Sequence, residues 1–398
     1  MSARQPATAT DGFDEEFKFS VSRLLCMLRQ NLRMDLAFIG KFEHGFRTAV
    51  FVESGGRGSS GPDVCFAHPL EETYCRKIAD GDLPTIIPDT SQNEITRNMP
   101  ITRVLSIGAY VGVPIVLSDG EVYGTLCCLK HERDHSLAKR DPSLLYFVAN
   151  LIAERVENHR ESQRRADWIR GRIEAVTASD QLEMHFQPIW SFGDSGISAY
   201  EALARFQTDP YITPDVWFEE AGEVGLRDSL ESLAITRALA ELPRLPDHCA
   251  MNINASPEAI LSGVVGDIVA GYDGRRIVLE VTEHSRIPDY PEFRKAIRHI
   301  RQLGVRIAVD DAGSGYASFH HVLELDADMI KLDLSLIRDI HRDRKKQALA
   351  AALISYARHA GPVVVAEGVD CQAEFDVLQK LSVDRVQGYF IGRPSPLD

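Results

Sequence analysis

Paired cysteines, an excess of basic residues and long apolar runs are all missing from this 398-residue chain. The seven cysteines, Cys26, Cys65, Cys75, Cys127, Cys128, Cys249 and Cys371, are scattered, odd in number and without a CxxC spacing. That argues against a disulfide-stapled fold and fits reduced thiols in the cytosol. No run approaches the roughly 18 apolar residues of a membrane span. Residues 1–13 carry no apolar signal core, so they are expected to be a disordered tail on a cytoplasmic protein. Lysine and arginine number 44 against 58 acids, a net charge of −14. Such a surface opposes binding to duplex nucleic acid or to an anionic membrane. It still admits a phosphate-bearing small substrate, provided carboxylates hold metal ions.

What is present suits a soluble globular chain: 44% hydrophobic and 26% charged residues. At roughly 100–200 residues per domain, two domains are expected, one of them a large barrel. From Phe17 to Arg33 apolar residues recur at helical spacing. Strand-like segments follow around a Gly-containing turn, then a Gly/Ser loop at Glu53–Asp63 and a helix from Leu70 ending at Gly81. Two further strands flank the turn Ser118–Gly120. This layout predicts a small α+β sensor-type module over residues 14–155. From about Asp141 to Ala178 one long helix is predicted, with residues 156–179 as linker. Its candidate seam alternates three and four: Leu145, Val148, Ile152, Arg155, His159, Ser162, Ala166, Ile169, Ile173, Val176. That spacing suggests a coiled-coil contact in a homodimer, weakened by a polar middle.

Over residues 180–398 eight strand candidates alternate with helical stretches, the pattern of a (β/α)8 TIM-type barrel. Polar residues fall on or at the ends of those strands. Glu201 lies in the second, Asn254 ends the third, Glu280 and Glu283 the fourth, Asp310 and Asp311 the fifth. Lys331 and Asp333 lie in the sixth, Glu367 ends the seventh and Gln387 is in the eighth. Barrel active sites sit at the C-terminal rim of the strands, so these groups should converge there. Residues two apart share a face, which would point Lys331 and Asp333 together. So many carboxylates in one mouth call for hard divalent cations, Mg²⁺ or Mn²⁺. Two such ions suit an in-line displacement at phosphorus.

At these residues the chain resembles the EAL-domain family, phosphodiesterases of the second messenger cyclic di-GMP. The tripeptide Glu201-Ala202-Leu203 is one of an ordered set with FQPIW, NAS, EVTE, DDAGSGYASF, KLD, AEGVD and QGYFIGRP. The resemblance implies two divalent cations, the first held by Glu201, Asn254, Glu280 and Asp310, the second by Asp310 and Asp311 with Glu367. It implies that Lys331 contacts the nucleophilic water and that Glu367 acts through water or as a base. Gln187, Arg205 and Gln387 would touch substrate, with Glu283 and Asp333 in support. The implied reaction opens cyclic di-GMP to linear pGpG, and the alternative is a silent receptor acting through partners. The family barrel runs its first strand antiparallel to the rest. Ala312 stands where the family usually has Phe, and Asp370 where it usually has Glu. Residues 14–155 resemble a GAF domain, a sensor fold for a small ligand.

Overall fold

The computed structural model describes residues 13, 15–55, 67–140, 142–282, 287, 289–312 and 322–397. The chain divides into two compact units, Met1–Arg165 and Ala166–Asp398.

The first unit is a six-stranded antiparallel sheet. Its strands are β1 (Leu36–Glu43), β2 (Phe46–Ser54), β3 (Ala67–Pro69), β4 (Ile86–Ile87), β5 (Ala109–Val116) and β6 (Val122–Lys130), in the order β3-β2-β1-β6-β5-β4. Alternation along β1 and β6 divides the apolar residues between two cores. Ala37, Ile39, Leu126 and Cys128 pack with Val21, Leu25 and Leu28 of the helix Glu15–Asn31. Phe38, Cys127 and Leu129 pack with Tyr74, Cys75 and Ile78 of the helix Tyr74–Ala79. The single helix expected from Leu70 to Gly81 is broken at Thr73. Its hydroxyl donates to the Leu70 carbonyl at 2.7 Å and accepts from Arg76 N at 3.3 Å. A short 3₁₀ turn, Leu70–Glu72, therefore ends where a capped helix begins.

The long helix is found over Ser143–Thr177. Its apolar positions, however, serve the interior of each unit rather than a coiled-coil seam. Leu145, Val148 and Ile152 belong to the core beneath the first sheet. Ile169, Ile173 and Val176 pack with Leu182, Phe206 and Trp217 of the second unit. Arg172 lies between the rings of Trp168 and Trp217, 4.4 and 4.5 Å from their centroids. A heptad-like spacing is also what a helix docked on two successive cores requires, and that use leaves the apolar seam residues already buried.

The second unit is a closed eight-stranded barrel. Its strands are β7 (Leu182–Ser191), β8 (Gly196–Phe206), β9 (Ala250–Asn254), β10 (Ile277–Thr282), β11 (Arg306–Ala312), β12 (Met329–Leu332), β13 (Val363–Ala366) and β14 (Arg385–Gln387). β7 pairs antiparallel with both neighbours, β8 and β14, while the remaining pairs are parallel. Met251, Ile253, Leu279, Val281, Ile307, Val309, Ile330 and Leu332 point outward into the main core beneath the helices. A separate apolar layer, Ile189, Ala199, Ala250, Val278, Ala308, Met329 and Val365, plugs the barrel interior.

Candidate active site

That interior plug generates the site by simple alternation. Two residues beyond Ala199, Ala250, Val278, Ala308, Met329 and Val365 stand Glu201, Asn252, Glu280, Asp310, Lys331 and Glu367. β7 runs the other way, so Gln187 stands two residues before Ile189. Because side chains two apart share a face, an apolar layer is followed by a polar layer, one step nearer the C-terminal rim.

Lys331 is the hub of that layer. Its Nζ lies 2.6 Å from Glu367 Oε1, 2.7 Å from Glu280 Oε2, 3.2 Å from Glu201 Oε2 and 3.4 Å from Asp310 Oδ1. Lys331 is 1% exposed and Glu280 is 0% exposed, so these charges are held away from bulk water. Gln387 Nε2 donates to Glu201 Oε2 at 2.6 Å and to Gln187 Oε1 at 3.0 Å. Asn254 Nδ2 donates to Glu201 Oε1 at 3.3 Å. Asn252, not singled out from the sequence, is fully buried and donates to Glu280 Oε1 at 2.7 Å. The alternation M-N-I-N carried the clue, since Asn252 shares its face with Asn254.

Asp310 and Asp311 would normally face opposite ways along a strand. Here the register against β12 slips between Val309 and Ala312, and Asp311 adopts the left-handed φ of 56°. The bulge re-aims the strand end. As a result, one carboxylate oxygen each of Asp310, Asp311 and Glu367 lie within 4.8 Å of one another. Asp310 Oδ1 also accepts from Asp311 N at 2.9 Å. Gly368, next to Glu367, has φ of 65°, and a Cβ there would stand 2.1 Å from Leu334 Cδ1. Only glycine lets the two strand-to-helix connections close around the site.

Electrostatically the cluster is overfilled with negative charge. Burial, reinforced by Glu201, pushes Glu280 well above the usual carboxylate range. Burial raises Glu367 to about 8, and it raises Asp310 as well. For Glu201 burial is outweighed by Lys331 and the Gln387 hydrogen bond, which bring it below its ordinary value. Lys331 is held well above its usual range because Asp310, Glu201, Glu280 and Glu367 overcome its burial. Around one ammonium, Glu280, Glu367 and Asp310 are pushed toward their protonated forms for want of positive charge, while Glu201 is drawn toward its ionised form. That donor set, all hard oxygens and partly open to a cavity, fits divalent cations such as Mg²⁺ or Mn²⁺.

A cavity of about 350 Å³ opens onto the cluster, lined by Gln187, Glu201, Asp310, Glu367, Gln387, Arg338, Asp370 and Tyr389 among others. Arg205 is placed elsewhere, in a neighbouring cavity of about 450 Å³ that shares Leu203 with the first and includes Asn254 and Glu231. Asp333 does not share the face of Lys331. The strand ends at Leu332, and the Asp333 carboxylate caps the next turn by accepting from Ser335 N at 2.9 Å. Alternation fails there because an N-cap leaves the extended ladder. Glu283 and residues 313–319 of the DDAGSGYASF segment lie outside the described residues.

Residues 170–394 match the EAL domain family. The chain belongs to that family. Residues 21–156 match the GAF domain family, so a GAF domain precedes the EAL domain. An uncharacterized signaling protein of Caulobacter vibrioides is 29% identical over 88% of this chain and 44% of its own length. The cyclic di-GMP phosphodiesterase PdeF of Escherichia coli is 30% identical over 57% of this chain and 32% of its own length. The chain thus spans less than half the length of these curated relatives. Among solved structures, the Klebsiella pneumoniae BlrP1 manganese/cyclic di-GMP complex at pH 9.0 superposes with a TM-score of 0.50. It is 29% identical and covers 55% of this chain and 57% of that one.

Proposed function

We propose that the EAL barrel is a metal-dependent phosphodiesterase that opens cyclic di-GMP to linear pGpG. The observation that carries this reading is the oxygen cluster of Asp310, Asp311 and Glu367 joined through Lys331 to Glu201 and Glu280. Relatives named as cyclic di-GMP phosphodiesterases supply the substrate. Glu201, Asn254, Glu280 and Asp310 would hold one divalent cation, and Asp310, Asp311 and Glu367 a second, Mg²⁺ or Mn²⁺ in each case. When bound, such ions lower the pKa of water and stabilise charge building on phosphorus.

The chain's own groups do the rest. Lys331 fixes the four carboxylates relative to one another, so little reorganisation is left for the reaction itself. Gln387 and Asn254 orient Glu201 through its two oxygens. Glu367, held 2.6 Å from Lys331 Nζ and lining the cavity, would take a proton from the attacking water. Water adds to phosphorus, the bond to the 3′-oxygen breaks, and that oxygen leaves with a proton. Gln187 and Gln387 line the cavity at the substrate's approach, and Arg205 would serve from the neighbouring cavity. In the same reading the GAF domain senses an unidentified small ligand or signal and acts on the barrel through the helix Ser143–Thr177. The homodimer suggested by the helix seam loses that support, since its apolar residues are buried within the units.

The test is incubation of the purified chain with cyclic di-GMP and Mg²⁺ or Mn²⁺, followed by chromatography of the products. Linear pGpG that requires the metal supports the enzyme. Tight binding without turnover would make the barrel a receptor instead.

A further inference from the structure

We propose that His341, Cys371 and Glu374 form a second metal site, built for a borderline-soft divalent cation such as Zn²⁺ rather than for Mg²⁺ or Mn²⁺. The three come from two different strand-to-helix connections. His341 lies between the short helix Leu334–Ile337 and the helix Arg344–Ala360, while Cys371 and Glu374 open the helix Gln372–Leu381. A ring nitrogen, the thiol sulfur and a carboxylate oxygen lie within 4.8 Å of one another.

Two further observations point to a ligand. His341 Nδ1 is buried without a hydrogen-bond partner, which is costly unless something else satisfies it. Cys371 is a free thiol. Glu374 is 4% exposed and oriented from behind, its Oε1 accepting from Asp339 N at 2.8 Å and its Oε2 from Asp370 N at 2.9 Å. Each carboxylate oxygen still keeps a lone pair, and backbone donors of this kind are what orient a metal ligand.

The donor set decides the metal. One nitrogen, one sulfur and one oxygen suit Zn²⁺ in a tetrahedron whose fourth position is water, whereas Mg²⁺ demands oxygens. Zinc bonds of about 2.0–2.3 Å place one sulfur and two N/O tetrahedral ligands roughly 3.3–3.5 Å apart, so the three atoms need to close by about 1.5 Å at most. Cys371 binds as thiolate and releases one proton to solvent per cation taken up. The occupied site would tie the two connections together. Those connections also send Arg338 and Asp370 into the lining of the carboxylate cavity, so the cation would brace that wall. The site stands independently of any turnover at Lys331.

Cobalt is the probe. The full chain, stripped with chelator and supplied with excess Mg²⁺, is titrated with Co²⁺ while its absorbance is followed. The expected result is a sulfur-to-cobalt charge-transfer band with tetrahedral d–d bands, saturating at one equivalent and displaced by Zn²⁺. Cys371→Ser should abolish the charge-transfer band; serine is a good residue at a helix N-cap, so the fold should persist. His341→Asn should weaken Co²⁺ binding at least about tenfold and remove the Zn²⁺-induced rise in Tm. Asp311→Asn should leave the spectrum unchanged. Absence of a sulfur-to-cobalt band, a band that survives Cys371→Ser, or one lost with Asp311→Asn would each overturn the proposal.

Discussion

Each unit buries a cation, and the two are treated in opposite ways. In the barrel Lys331 is met by four carboxylates, three of which, Glu201, Asp310 and Glu367, line a cavity. In the GAF domain Arg47 is 1% exposed and threaded between packed side chains, its guanidinium 5.3 Å from the Phe38 ring centroid. Beside it the thiols of Cys75 and Cys127 are 3.8 Å apart. Space for Arg47 comes from Gly40, where a Cβ would stand 2.6 Å from Arg47 Cδ. The lesson is that a buried charge marks a ligand site when opposite charge is in excess around it and some of those opposite charges line a cavity. Arg47, packed against the Phe38 ring and fitted over Gly40, shows a buried cation that fills space in a core.

The hardest test of that contrast is Asp310→Asn. Under the two-cation reading it should lower turnover of cyclic di-GMP by at least about a thousandfold, roughly 4 kcal/mol of barrier, with the fold intact by circular dichroism. A residual rate above about a tenth of the original, measured by product chromatography, would break the assignment. Next in size is Lys331→Met. Removing the hub leaves carboxylates facing one another in a dry interior, and breaking such a buried pair costs about 3–5 kcal/mol. Mn²⁺ should recover more melting temperature in this variant than in the parent, because added positive charge replaces the lost ammonium. Equal Mn²⁺ effects in both would show that the cations do not share the Lys331 cluster.

On the GAF side, Gly40→Ala should cost about 1–3 kcal/mol by overpacking Arg47. That loss, read from denaturant unfolding, should be indifferent to Mn²⁺. A metal-dependent loss would blur the contrast. The proposed coupling predicts a smaller effect. Residues Glu161 to Arg165 are all exposed, so one alanine inserted after Gln163 spares both cores while turning the helix beyond it by about 100°. Turnover or its response to a GAF ligand should change several-fold, and a seven-residue insertion should nearly restore it. Matching behaviour in both variants would make the helix a spacer.

The smallest expected effect concerns acid. Asp134 is held down to about 2 chiefly by the Ser136 hydroxyl, with Lys130 also contributing. A carboxylate depressed from about 3.9 in the unfolded chain adds stability that is complete above that value. This contribution fades as the pH falls toward 2. Asp134→Asn should therefore lower Tm at pH 5 and lose most of that difference by pH 2.5. A penalty unchanged across that range would assign Asp134 to shape rather than charge.

Much of the site could be read along the chain because a strand has a period of two. Once Val278, Ala308 and Val365 are placed inside a barrel, Glu280, Asp310 and Glu367 must face the same interior one step later. Other features depended on partners far away in sequence. The Asp310–Asp311 bulge exists only against the register of β12, and Gln187 reaches Gln387 only because β7 closes the barrel antiparallel. Asp333 left the cluster for a helix cap, and a seam that looked intermolecular was consumed by two cores. The sequence by itself determined which faces are polar, since alternation and helical spacing are local properties of the backbone. Only the tertiary structure decided which of those polar groups meet, because Lys331 can be ringed by Glu201, Glu280, Asp310 and Glu367 only after eight strands have closed and taken up their register.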